Sequence, residues 1–242
     1  MPVSVLTTLF IVTLSDFPGD DPEEVDLELQ VTAHQWWWEV DYLYDDLTRR
    51  FSTANEIHVP VGQRVKISLL SSDVIHGFWV PRLHGKMDVI PGHENSLVLE
   101  ASEPGIYRGE CAEYCGVQHA HMRFLVVAQR PDDFRAWAAN QRLPAPTPTD
   151  PLLVKGREAF ETTACAMCHS IRGTRARGGV APDLTHFGSR STIAGVMPNT
   201  RARLQAWIVN AQSFKPGARM PTLEQFDGET LNALAAYLES LE

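Results

Sequence analysis

The chain has 242 residues, long enough for one large domain or two ordinary ones. Hydrophobic side chains at 44% and charged ones at 21% exclude a disordered chain, and with a net charge of −9 no nucleic-acid partner is expected. The four cysteines lie in two close pairs beside histidines, which favours metal or haem chemistry over a disulfide framework.

The first segment, "PVSVLTTLFIVTL", is apolar but shorter than the roughly 20 residues that span a hydrocarbon core. It lacks the basic start and small-residue cleavage site of a signal peptide. Residues 1–22 read as the truncated end of a membrane helix with an acidic lead-in, a buried strand being the alternative. No Lys or Arg occurs from Met1 to Thr48. Positive charge marks the cytoplasmic end of a membrane helix, so this side is expected outside.

Residues 27–128 contain short runs rich in aromatic and β-branched side chains: "LELQVTAHQWWWEVDYLY", "RVKISLLSS", "ENSLVLEAS" and "RFLVVAQ". Turn signals such as Pro60-Val61-Gly62, Pro91-Gly92 and Pro104-Gly105 separate them, which predicts an antiparallel sandwich or barrel. Helical spacing follows in "PDDFRAWAANQR", with Asp132 and Asp133 in its first turn. "LPAPTPTDP" is a semi-rigid spacer. Beyond it, "LLVKGREAFETT" and "DGETLNALAAYLESLE" are amphipathic helices, the second capped by Asp227. The division expected is an all-β domain over 23–141, a linker over 142–151 and an all-α domain over 152–242. The last part carries ten Lys and Arg against eight acids, so a weakly basic module faces an acidic one.

Cys165-Ala-Met-Cys168-His169 is the covalent haem attachment pattern. Two thiols on one helical turn can each bond a vinyl group, and the next residue offers its imidazole to the iron. A dithiol would want a βαβ context and a zinc site a second ligand pair; neither is present. A soft sixth ligand would suit an electron carrier, and Met197 and Met220 are the candidates.

The other cluster is "CAEYCGVQHAHM", holding Cys111, Cys115, His119 and Met122. Thiolate, imidazole and thioether together select copper. A single blue-copper centre takes one cysteine, whereas two thiolates at this spacing can bridge two coppers. A second imidazole must come from elsewhere, and His76 in "SSDVIHGFWVPRLHGKMDVIPG" ends a run at a suitable place. His84, His93 and His121 read as surface or supporting residues, and His34, His58 and His186 as structural.

Residues 29–128 resemble the copper domain of cytochrome c oxidase subunit II, a cupredoxin sandwich, through "AHQWWWEVDY", "VIHGFWVPRLHGKMDVIPG" and "PGIYRGECAEYCGVQHAHM". Residues 152–242 resemble class I cytochrome c, through "CAMCH", Gly156, Phe160, Tyr237 and the Pro182 of "GGVAPDLTHF". The first resemblance implies a dinuclear copper centre held by His76, Cys111, the Glu113 carbonyl, Cys115, His119 and Met122. It also implies magnesium at the Glu113 carboxylate, arrival of electrons at an exposed Trp36, and their onward passage at His119. The second implies haem c on Cys165, Cys168 and His169, with Pro182 orienting the imidazole and Met220 as sixth ligand. Trp207 would reach a propionate or serve as core.

Together they imply an electron-transfer subunit of a terminal oxidase, itself without catalytic residues. Its partners would be subunits I and III and a cytochrome c or other respiratory donor, on the outer, periplasmic or extracellular, face of a bacterial membrane. A nitric oxide reductase with a borrowed subunit is one alternative. Nitrous oxide reductase shares the ligand spacing but carries an aromatic where Glu113 stands, and a copper-delivery protein would have no use for haem.

Overall fold

Period-two patterning turns directly into strands. Along Leu27–His34, Leu29, Val31 and Ala33 are buried and the residues between them are not. The computed structural model describes residues 2–15 and 25–242. Its first ten strands are β1 (Leu27–His34), β2 (Trp37–Leu43), β3 (Phe51–Ala54), β4 (Glu56–Pro60), β5 (Val65–Ser71), β6 (His76–Trp79), β7 (Met87–Val89), β8 (Asn95–Leu99), β9 (Gly105–Cys111) and β10 (Arg123–Gln129). They form two five-stranded sheets, in the orders β3-β2-β1-β5-β8 and β4-β10-β9-β6-β7.

The sheets enclose an aromatic core. Trp38 meets Phe124 with ring centroids 5.3 Å apart, and Phe78 with centroids 5.8 Å apart. Each fully buried side chain of this size contributes roughly 1.5–3 kcal/mol. The sandwich is as expected, but not purely antiparallel: β1 pairs with β5, and β4 with β10, in parallel. The chain leaves the first sheet after β3, crosses with β4 in the second and returns as β5. It therefore arrives beside β1 running the same way.

Helix α2 (Pro131–Gln141), preceded by α1 (Pro2–Ser15), covers one end of the sandwich with Phe134 and Ala138. Its Trp137 stacks on His58 with ring centroids 4.0 Å apart. The helix α1 replaces the alternative of a buried strand, and Val3, Leu6 and Phe10 on it are exposed. At 14 residues it rises about 21 Å, short of a bilayer core of about 30 Å. Among the described residues no helix is long and apolar enough to cross a membrane. The acidic lead-in over 16–22 falls outside them.

The second half is built on α3 (Pro151–Thr162), the single turn α4 (Cys165–Cys168), a small β11–β12 pair (Thr192–Ile193 and Met197–Pro198), α5 (Arg201–Val209) and α6 (Gly228–Glu239). Asp150 caps α3 by accepting from Leu152 N, and Asp227 caps α6 by accepting from Thr230 N. The two terminal helices cross at Gly156, where a Cβ would stand 2.0 Å from the Ala233 carbonyl oxygen. The spacer is tied down: Ala145 N donates to Arg172 O, and the Arg172 guanidinium donates to the Gln141 and Arg142 carbonyls.

Candidate copper and haem sites

The end of β9, the start of β6 and the loop before β10 bring the first cluster together. Cys111 closes β9, His76 opens β6, and Met122 directly precedes β10. Cys111 N donates to Met122 O and Ala112 N to Gly77 O, so both ends of the loop are pinned to sheet backbone. Cys111 Sγ lies 3.7 Å from Cys115 Sγ, 3.8 Å from His76 Nδ1 and 3.2 Å from the Glu113 carbonyl oxygen. Cys115 Sγ lies 3.7 Å from His119 Nδ1 and 3.8 Å from Met122 Sδ. All six expected donors thus converge around the sulfur pair.

Sulfurs 3.7 Å apart are unbonded, since a disulfide needs about 2.05 Å. That separation suits thiolate–metal bonds of about 2.3 Å. Three soft sulfurs, two imidazoles and a carbonyl fit copper rather than a hard cation.

The charges in the site are tuned by its own groups. The hydrogen bond with Cys115 lowers the Cys111 thiol to about 3, against the effect of burial and with help from His76. The shared proton raises Cys115 in turn. Burial opposes a charge on His76, but Cys111 and Asp73 outweigh it and raise its pKa. Asp73, not foreseen from the sequence, lies 2.8 Å from His76 Nε2, so the other ring nitrogen faces the sulfurs. A carboxylate three residues before a ligand histidine, in "SSDVIH", was the available signal.

Trp36 links this loop to the second site. Its indole Nε1 donates to the Cys115 carbonyl at 2.9 Å, beside Gln35 Nε2 at 2.8 Å. Gly116, at φ +114°, would put a Cβ 3.0 Å from the same indole, so a larger residue there would push the ring away. Trp36 is half-buried rather than exposed as expected, because the second half of the chain covers it. Lys215 Nζ donates to its carbonyl at 2.6 Å, and Gly217 packs against its ring.

The haem-type residues line one cavity. Cys165, Cys168, His169 and Met220 share it with the apolar Phe160, Leu204, Leu234 and Leu238, and with Trp36 and Trp37 from the sandwich. His169 Nδ1 lies 2.8 Å from the Pro182 carbonyl, which holds Nε2 as the free ring nitrogen. Burial lowers the His169 pKa and keeps that nitrogen a lone-pair donor. Arg190 lines the cavity with a buried Nε that has no partner among the described residues, a donor suited to an anionic edge of a bound group. An apolar slot with two free thiols, one lone-pair nitrogen and such a donor fits haem. Trp207 lines the cavity, while Met197 lines a separate groove with His121, Arg123 and Arg203.

The remaining residues sort plainly. Glu113 Oε2 accepts from Lys86 Nζ at 2.8 Å. His93 and His121 are exposed, and His84 is half-buried against the Gly85 carbonyl. His34 and His186 are hydrogen-bonded on both ring nitrogens. Lys215 was missed as well. Burial lowers its pKa to about 7, and its partner Trp36 is 179 residues away, beyond any sequence pattern.

A family profile described as "Cytochrome C oxidase subunit II, periplasmic domain" matches residues 27–129, and one described as "Cytochrome c" matches residues 153–242. "Cytochrome c oxidase subunit 2" of Alkalihalophilus pseudofirmus is 38% identical, over 100% of this chain and 71% of that protein. The protein of the same name from Bacillus subtilis is 33% identical, over 98% of this chain and 69% of that protein. The crystal structure of the periplasmic domain of subunit II of cytochrome oxidase from Bradyrhizobium japonicum aligns at a TM-score of 0.46 and 28% identity, covering 49% of this chain and 95% of that one. With copper-type donors in a cupredoxin-like sandwich and haem-type donors in a helical cytochrome c domain, the chain belongs to the cytochrome c oxidase subunit II family, in the form that carries a fused cytochrome c.

Proposed function

We propose that the chain takes electrons from a respiratory donor through covalent haem c to a dinuclear copper centre, and delivers them to the haem-copper subunit I of a terminal oxidase. The observation that carries this reading is Trp36, which lines the haem-type cavity and donates its indole N–H to the carbonyl of Cys115. When bound, the copper pair and the haem each supply one-electron chemistry. The residues supply position and rigidity.

Cys111, Cys115, His76, His119, Met122 and the Glu113 carbonyl would hold the two coppers. Because backbone hydrogen bonds and Asp73 fix these donors in place, little has to move when the charge changes. Cys165 and Cys168 would hold the haem covalently, with His169 and Met220 as ligands to its iron. Met220 rather than Met197 is assigned because it lines the cavity that contains His169.

The half-exposed His119 and exposed Tyr114 lie on the loop's outer side and would face subunit I. There the Glu113 carboxylate would exchange Lys86 for magnesium, with further ligands from the partner. The chain would lie on the outer, periplasmic or extracellular, side of the membrane, with subunit III in the same complex and cytochrome c as the expected donor. We divide it into a copper domain over 23–141, a linker over 142–151 and a haem domain over 152–242. The names of its relatives favour an oxygen-reducing partner over a nitric oxide reductase.

The experiment is metal analysis with electron paramagnetic resonance on the loaded chain. Two coppers per chain and a seven-line mixed-valence signal are expected beside a c-type haem spectrum. One copper with a four-line signal would overturn the dinuclear assignment.

A further inference from the structure

Glu56 opens β4 and is only 4% exposed, yet among the described residues no cation lies within ion-pair distance of it, the buried Arg190 guanidinium acting on it only at longer range. Among the described residues, all its side-chain hydrogen bonds come from the haem domain and end on one oxygen. Ser191 N donates to Oε1 at 2.9 Å, Ser191 Oγ at 2.7 Å, Thr192 N at 3.1 Å and Thr192 Oγ1 at 3.4 Å. A buried carboxylate without partners is costly, so four converging donors make this a built seat rather than a chance contact.

The seat adjoins the haem-type cavity. Ala54 and Asn55, just before Glu56, line that cavity, as do Arg190 and Thr192 from the other side. Two further bonds hold the same pair of surfaces together around Trp36. Lys215 Nζ donates to the Trp36 carbonyl at 2.6 Å, and Gln118 Nε2, from the copper loop, donates to Pro216 O at 2.9 Å. None of these contacts involves a bound group.

We propose that Glu56 is a positioning residue for electron transfer within the chain: by accepting four hydrogen bonds from Ser191 and Thr192 it seats the haem domain in a fixed pose against Trp36. This rests on the electron-carrying function proposed above. With the seat intact no domain motion precedes transfer, so the rate does not depend on solvent viscosity. Without it the haem domain shifts on its linker, and small misplacements are expensive in rate.

The test uses the full chain loaded with copper and haem, with haem photoreduced by a soluble ruthenium complex and reoxidation by copper followed optically. Glu56→Ala is expected to slow transfer about 10- to 100-fold and to make it viscosity-dependent, with the haem potential and copper spectrum unchanged. Glu56→Gln keeps an acceptor oxygen in place and is expected to stay within about threefold of the unmutated rate, as a seat made by acceptance requires. Hydrogen exchange supplies a second readout, since the Ser191 and Thr192 amides should lose protection in Glu56→Ala. If that variant does not fold, Ser191→Ala with Thr192→Val removes two donors and should slow transfer to a lesser extent.

An unchanged rate and unchanged amide protection in Glu56→Ala, or in the double variant, would overturn the proposal. So would equal slowing in Glu56→Gln with a moved haem potential, because Glu56 would then act through its charge. Absence of transfer in the unmutated chain would instead refute the electron-carrying function, while amide exchange would still judge the seat.

Discussion

His76 is held from both sides of its ring: Nε2 lies 2.8 Å from Asp73 Oδ1, and Nδ1 lies 3.8 Å from Cys111 Sγ. Asp73 is itself fixed, since its second oxygen accepts from Gln35 N at 2.7 Å. Removing it frees the imidazole to rotate and leaves the wrong nitrogen unassigned. Asp73→Ala should therefore weaken copper binding about 10- to 100-fold, the usual cost of losing a histidine's carboxylate support. Competition against a chelator of known affinity measures this, and unchanged affinity would show that the loop alone orients His76.

Gly156 sets how closely the terminal helices of the haem domain approach. A Cβ there would stand 2.0 Å from the Ala233 carbonyl oxygen and 2.7 Å from Tyr237 Cβ, both rigid neighbours. Alanine is favoured over glycine within a helix by about 1 kcal/mol. Forcing two packed helices apart costs about 1–3 kcal/mol or more, so the clash wins. Gly156→Ala should lower the melting temperature of the haem domain by several degrees, read by calorimetry. A rise would mean that helix propensity governs this position.

Much of both sites could be read from the sequence because their donors are local. Cys165 to His169 are contiguous, and Cys111 to Met122 span one loop, so spacing alone carries the chemistry. His76 was within reach as the second imidazole, although the sequence put it at the end of a strand and the structure puts it at the start of β6. The sandwich followed from alternation, but its two parallel pairs did not, since pairing depends on which sheet a strand joins. Glu56 and Lys215 gave no signal. A charged residue at a strand start or in a Pro-Gly loop ordinarily faces solvent, and only packing between the domains buries them.

His58 gives the sandwich a pH dependence. It stacks on Trp137, its Nδ1 lies 3.0 Å from Gln129 Oε1, and burial lowers its pKa below 6.5 despite Gln129 and the nearby Glu56 charge. The unfolded chain then binds the proton more readily than the folded one. Stability from this group is complete above pH 6.5 and declines as pH falls through 6.5 toward the folded value. His58→Gln should flatten that decline. Denaturant titrations of the copper-loaded chain at pH 7.5 and 5.5 compare the two, and equal losses in both proteins would assign the effect to other groups.

The two methionines offered by the sequence occupy different places, and that separates their expected effects. Met220 lies in the cavity with His169, where a thioether ligand would stabilise reduced iron and raise the potential. Met197 is 7% exposed in β12 and lines the groove near Arg123 and Arg203. Met220→Leu should lower the haem potential by at least about 100 mV, a modest part of the roughly 0.8 V that axial ligands command. It should also abolish any sulfur-to-iron absorption band. Met197→Leu swaps side chains of similar volume, so its cost should stay below about 1.5 kcal/mol and the potential should hold. Redox titration of both variants decides between them, and the opposite pattern would move the sixth ligand to Met197 and require β12 to swing into the cavity.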